Sequence, residues 1–136
     1  MTHTLQFTDL QKGQAFARLP LTVTNDDVEA YLESTGESSA AWQELVPPIY
    51  LDAVAIATLL STVAIPKGVM HTGQEHETVR AARIGEPLTL EMRVSGLSER
   101  RGAIIAAFEA ELTDATDATV SSMKISVMAL PDGVTA

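Results

Sequence analysis

The chain of 136 residues contains no cysteine. That excludes disulfides, thiolate nucleophiles and cysteine-based zinc sites. Basic residues are scarce: 9 Lys and Arg stand against 18 Asp and Glu, for a net charge of −9. Phosphate binding along a nucleic acid needs a basic face, so no nucleic-acid partner is expected. Neither a GxGxxG nor a GxxxxGK[ST] loop occurs, and no Gly-x-Ser-x-Gly elbow presents a serine. Met1 to Asp9 has no basic stretch followed by an apolar run. No secretory signal is read there, and a cytoplasmic location is expected. Repeats and low-complexity linkers are absent too.

What is present is largely apolar. Hydrophobic residues make up 46% of the chain, which argues against disorder. The length suits a single domain over 1–136 with one core. At its centre runs Pro47 to Ile65, in which only Asp52 is charged. This stretch predicts a helix over about 49–65, apolar on nearly every side, which the rest of the chain must wrap. At about 1.5 Å per residue it is roughly 25 Å long, too short and too rich in Ala and Thr for a membrane span. No membrane partner is expected.

The flanking patterns supply the wrapping. Residues 3–9 alternate weakly and fit a first strand or an extended arm. Ala15 to Val23 reads as a short strand, with Pro20 implying an edge or a break. Thr24 caps a short helix that carries Val28, Tyr31 and Leu32 on one face and stops at Gly36. Glu37 to Val46 connects it to the long helix and holds the only tryptophan, Trp42, expected to plug the end of the core. Pro48 suits a first helical position.

Beyond Lys67-Gly68 the period changes to two. Strands are expected over Val69–Arg80, from Leu88, over Ala103–Thr113 and over Val120–Leu130. The loop Ser98-Glu99-Arg100-Arg101-Gly102 is expected to join the middle pair. Together these predict an α+β fold, a curved antiparallel sheet around one helix. Val69–Arg80 is polar on both faces, so two such strands meeting across a dimer would explain it and cover the open edge.

This order of elements resembles the hotdog fold. Gly13 followed by Thr22-Val23-Thr24 and Asp27-Val28 is similar to the opening of MaoC-like and FAS1-like dehydratase domains. Val46-Pro47-Pro48 resembles the segment before their central helix. Met70-His71-Thr72-Gly73-Gln74-Glu75-His76-Glu77 resembles the strand after it, and Arg80 to Leu88 the turn that follows. The likeness covers residues 13 to about 113. It implies acyl-thioester chemistry: hydration of an enoyl-CoA or dehydration of a 3-hydroxyacyl thioester, with acyl-CoA or an acyl-carrier thioester as ligand and no cofactor.

Catalytic MaoC-type domains carry an Asp-x-Asn-Pro-x-His motif between the two helices. The matching region here, Gly36 to Trp42, has Glu37 near the Asp position but neither Asn-Pro nor His. The resemblance therefore implies a subunit that needs a catalytic hotdog partner, in a homodimer or a heterodimer. By itself, such a subunit would hydrate crotonyl-CoA negligibly. Two further readings stand beside it, a hotdog acyl-CoA thioesterase and a non-catalytic acyl-CoA-binding module.

The candidate catalytic residues are His71, Glu75 and Asp52. Simple strand alternation puts His71 and Glu75 on one face and His76 on the other, which rules out a His71, Glu75, His76 metal site. His71 is read either as a group near the thioester or as a structural histidine at a strand start or dimer seam. Asp52 is costly to bury unless partnered. It is read either as a base or nucleophile, as on this helix in some hotdog thioesterases, or as a first-turn carboxylate held by free N–H groups and the helix dipole. Pro48, Ile49, Tyr50 and Leu51 mark the thioester-binding end of the helix, with Gln74 on the neighbouring strand. Arg80, Arg83, Arg93, Arg100 and Arg101 are possible CoA-phosphate contacts, although Arg100-Arg101 also suits a solvated hairpin.

Overall fold

A computed structural model describes residues 5–36, 44–64 and 68–130. Trp42, Glu37 and the rest of the segment expected to hold an Asp/His motif lie outside the described residues.

Strand β1 (Leu5–Gln6) leads into a 3-10 turn at Phe7–Asp9 and then β2 (Ala15–Leu21). Helix α1 (Asn25–Thr35) starts where two residues cap each other. The Asp27 N–H donates to the Thr24 hydroxyl (3.1 Å), and the Thr24 N–H donates to the Asp27 carboxylate (2.9 Å). Gly36 ends α1 in the left-handed region, at φ 75°.

The central helix α2 spans Pro48–Thr62. It begins one residue earlier than expected and stops three residues short of Ile65. Val63 is fully buried and extended, and with Ala64 it forms β3, paired in parallel with β1. Two consecutive β-branched residues, Thr62 and Val63, favour that exit from the helix.

Four long strands follow: β4 (Met70–Thr78), β5 (Leu88–Arg100), β6 (Ala103–Thr113) and β7 (Thr119–Ala129). The main sheet has the order β2-β5-β6-β7-β4, antiparallel throughout. The loop expected over 98–102 is tighter. β5 runs on to Arg100, and Arg101 and Gly102 alone make the turn, at φ 53° and 84°. Positive φ at both central residues gives the twist that suits a two-residue hairpin.

Leu88, Leu90, Met92 and Val94 of β5 are buried with Phe108, Ala110 and Leu112 of β6 and Met123, Ile125 and Val127 of β7. Leu51, Ala55 and Leu59 of α2 join the same core cluster. The sheet and the apolar helix thus bury each other, as the sequence pattern requires. Pro20 sits in β2, an edge strand, where its missing N–H is tolerated. The other edge is β4, exposed along almost its whole length. Among the described residues no helix is long and apolar enough to cross a membrane.

Candidate functional site

The site grows from one irregularity in β4. Its pairing with β7 shifts between His71 and Gly73, a bulge at Thr72. An extra residue reverses the alternation on one side of it. His71, Gln74, His76 and Thr78 are therefore registered against Val127, Ile125, Met123 and Ser121, all buried on the inner face of β7. Glu75 instead pairs with Lys124 and lines a hollow with Glu77 and Glu109, which His76 also borders. The expected His71 and Glu75 pair is therefore not formed, and His76 turns toward the helix.

There it meets Asp52. His76 Nδ1 lies 2.6 Å from Asp52 Oδ1, with side-chain exposures of 24% and 12%. An ionised carboxylate only accepts hydrogen bonds, so Nδ1 carries the proton. On the other side of the ring, Nε2 contacts the Thr78 hydroxyl. In the neutral imidazole, Nε2 accepts the hydroxyl proton. Because α2 starts at Pro48, Asp52 falls in the second turn, beyond the first-turn N–H groups expected to hold it. Its partner is a side chain 24 residues away.

The rest of the seam between α2 and β4 is apolar. Ile56, Leu59 and Leu60 follow Asp52 by four, seven and eight residues, on the same side of the helix. With Val69, His71, Ile125 and Val127 they line a crevice of about 240 Å³. Its Leu60 end lies about 12 Å along the helix from Asp52, at about 1.5 Å per residue. His71 thus lines an apolar hollow, while the acid–base pairing belongs to His76.

At the start of α2, Pro48 has no N–H, and the Tyr50 N–H turns to the Pro47 carbonyl (3.0 Å). Leu51 points into the core at 4% exposure, and Ile49 is open at 68%. The Tyr50 ring packs edge-to-face on Tyr31 (5.5 Å). Burial, and next the Asp27 charge, push its phenol above the usual tyrosine value, so it stays neutral. Gln74 Nε2 reaches Met123 Sδ (3.5 Å).

Several arginines are occupied by carboxylates. Arg80 bonds Glu86 and Asp114, and Arg93 bonds Glu109 (2.9 Å). Arg83 borders a hollow of about 380 Å³ with Asn25, Glu44 and Ile84, and Arg101 sits at the tip of the β5–β6 hairpin. Among the described residues no three His, Asp or Glu side chains gather as a metal site.

The sequence reading singled out Asp52 but missed its partner. The missed signal was Thr72-Gly73, where glycine inside a strand is a mark of a bulge. With the bulge, His71 and His76 share the helix-facing side; without it they would lie on opposite faces.

The β2-β5-β6-β7-β4 sheet packed on α2 is the hotdog fold. Solved structures with the same architecture include the unliganded R-hydratase PhaJ1 from Pseudomonas aeruginosa. It superposes with a TM-score of 0.73 at 15% identity, over 95% of this chain and 88% of that one. The (R)-hydratase from A. caviae involved in PHA biosynthesis gives 0.69 at 22%, over 90% and 98%. The C-terminally truncated HadBC (3R-hydroxyacyl-ACP dehydratase) complex from Mycobacterium tuberculosis gives 0.70 at 16%, over 87% and 96%. No family model and no curated sequence matches the chain.

Proposed function

We propose that the protein is a hotdog subunit of the MaoC/FAS1-like kind that takes acyl thioesters and serves in their hydration or dehydration. The observation that carries this is the α2–β4 seam: a polar pair, Asp52 and His76, at one end and an apolar crevice at the other. A polar reacting head with an apolar tail fits that division. The solved structures that share the fold include hydratases and a dehydratase complex, which supports the same reading.

The second half of the proposal is a paired assembly, homodimeric or with a second hotdog chain. Strand β4 is an unpaired edge flanked by exposed apolar residues, Met70 at 37% and Val79 at 62%. Unpaired edges invite strand addition. The thioesterase reading keeps one observation in its favour, the carboxylate on α2.

Isothermal titration of the purified chain with crotonyl-CoA tests the first half. Saturable binding that is tighter than that of CoA itself is expected; no binding of any CoA thioester removes the proposal. Turnover separates the two chemistries: hydration of the double bond favours the hydratase reading, and release of free CoA favours the thioesterase.

A further inference from the structure

We infer that this chain carries its own acid–base centre, with His76 the catalytic residue and Asp52 its positioning residue. The inference rests on the acyl-thioester reading above and deepens it. It assigns the chemistry to α2 and β4, away from the inter-helix segment where the sequence looked for it.

Three observations support it. The geometry is that of an oriented base: a carboxylate on Nδ1, and Nε2 turned to a hydroxyl. The pair is graded in exposure. Asp52 is nearly covered, while the ring keeps 24% of its surface open, so a ligand can reach His76 without uncovering the carboxylate. The pair also joins elements far apart in sequence, and His76 borders an open hollow of about 270 Å³ that a ligand can enter.

The Thr78 hydroxyl occupies the place that a water or a substrate hydroxyl would take on Nε2. In the hydration direction, Nε2 takes a proton from water. The water oxygen bonds to Cβ of the enoyl thioester as the Cα–Cβ π pair shifts toward the carbonyl. The imidazolium then returns the proton to Cα. In reverse, Nε2 removes the Cα proton, the pair left on Cα forms the Cα–Cβ double bond, and the imidazolium delivers the proton to the 3-hydroxyl, which leaves as water. One water is added or lost, with no change of oxidation state overall. Asp52 holds the tautomer and stabilises the imidazolium.

The test is crotonyl-CoA hydration by the purified full chain and its variants, with binding measured in parallel. Wild type should turn over measurably. H76A should lose about 100- to 10,000-fold in kcat, with KM within a few-fold, and added imidazole should restore part of the rate. D52N should also lose kcat, with D52E recovering part of it, which a merely structural pair would not give.

Wild-type binding without turnover would overturn the inference and leave the acyl-thioester reading standing. Absence of binding would remove both. Unaltered kcat in H76A would overturn it as well. A covalent acyl adduct on Thr78 during turnover would overturn the water-addition step, because it marks a hydroxyl nucleophile.

Discussion

At the residue scale, the two groups that matter most are a carboxylate that sequence reading noticed and a histidine that it set aside. Asp52 stood out because a lone charge in an apolar helix demands a partner. The partner went unrecognised because strict alternation set His76 opposite His71 and Glu75, whereas the extra residue at Thr72 puts His71 and His76 on one face and leaves Glu75 on the other. A deletion of Thr72 should restore plain alternation and turn His71 out of the apolar crevice, while the Gly73–Thr78 register keeps His76 on Asp52. A histidine NMR titration would check this, and an unchanged His71 environment would contradict it. In the core, Phe108 is fully buried and meets Phe16 edge-to-face (5.8 Å). Phe108→Ala should cost about 3–5 kcal/mol in denaturant unfolding.

At the scale of elements, local sequence wrote most of the boundaries. The Thr24 cap and Gly36 stop delimit α1 as expected, and Thr24→Ala should lower stability by about 1 kcal/mol. The edge placement of β2 was readable from Pro20. The end of α2 was not, because Val63 leaves the helix to pair with β1, a tertiary choice that local propensity does not reveal. The β5–β6 hairpin was read as a five-residue loop, since Arg101 gives no sign of the left-handed backbone that it adopts. Arg101→Asn relieves that conformation and should raise stability by roughly 0.5–1 kcal/mol, measurable by thermal or chemical unfolding. A destabilised variant would mean that the turn does not hold this geometry in solution.

At the scale of the whole molecule, Arg80 ties the turn after β4 to those before β5 and β7. It bonds Glu86 and Asp114. Its hydrogen bond holds the Glu86 carboxyl below the usual range, and the Thr116 hydroxyl and then Arg80 do the same for Asp114. Folded values lowered in this way add stability above the unfolded carboxylate pKa values of about 4, and that stability is lost as pH falls through the folded values. Arg80→Gln should therefore destabilise the protein at neutral pH, with the difference from wild type shrinking in acid. Denaturant unfolding across pH checks the sign; a difference that grows in acid would contradict it. The overall hotdog arrangement was legible from the apolar helix and the two-residue periods. The seam between α2 and β4 was not, because it exists only once the strand order and the bulge bring residues 52–60 and 69–76 together.

The most direct measurement is a calorimetric titration of the chain with CoA, crotonyl-CoA and a longer-chain acyl-CoA, repeated with Leu60→Trp to fill the crevice. If acyl thioesters seat in the α2–β4 seam, affinity rises from CoA to the acylated ligands with a negative heat-capacity change. Leu60→Trp then weakens the longer-chain ligand about tenfold or more, with little change for CoA. Equal affinities for CoA and its thioesters, or binding untouched by Leu60→Trp, would contradict the assignment of that seam.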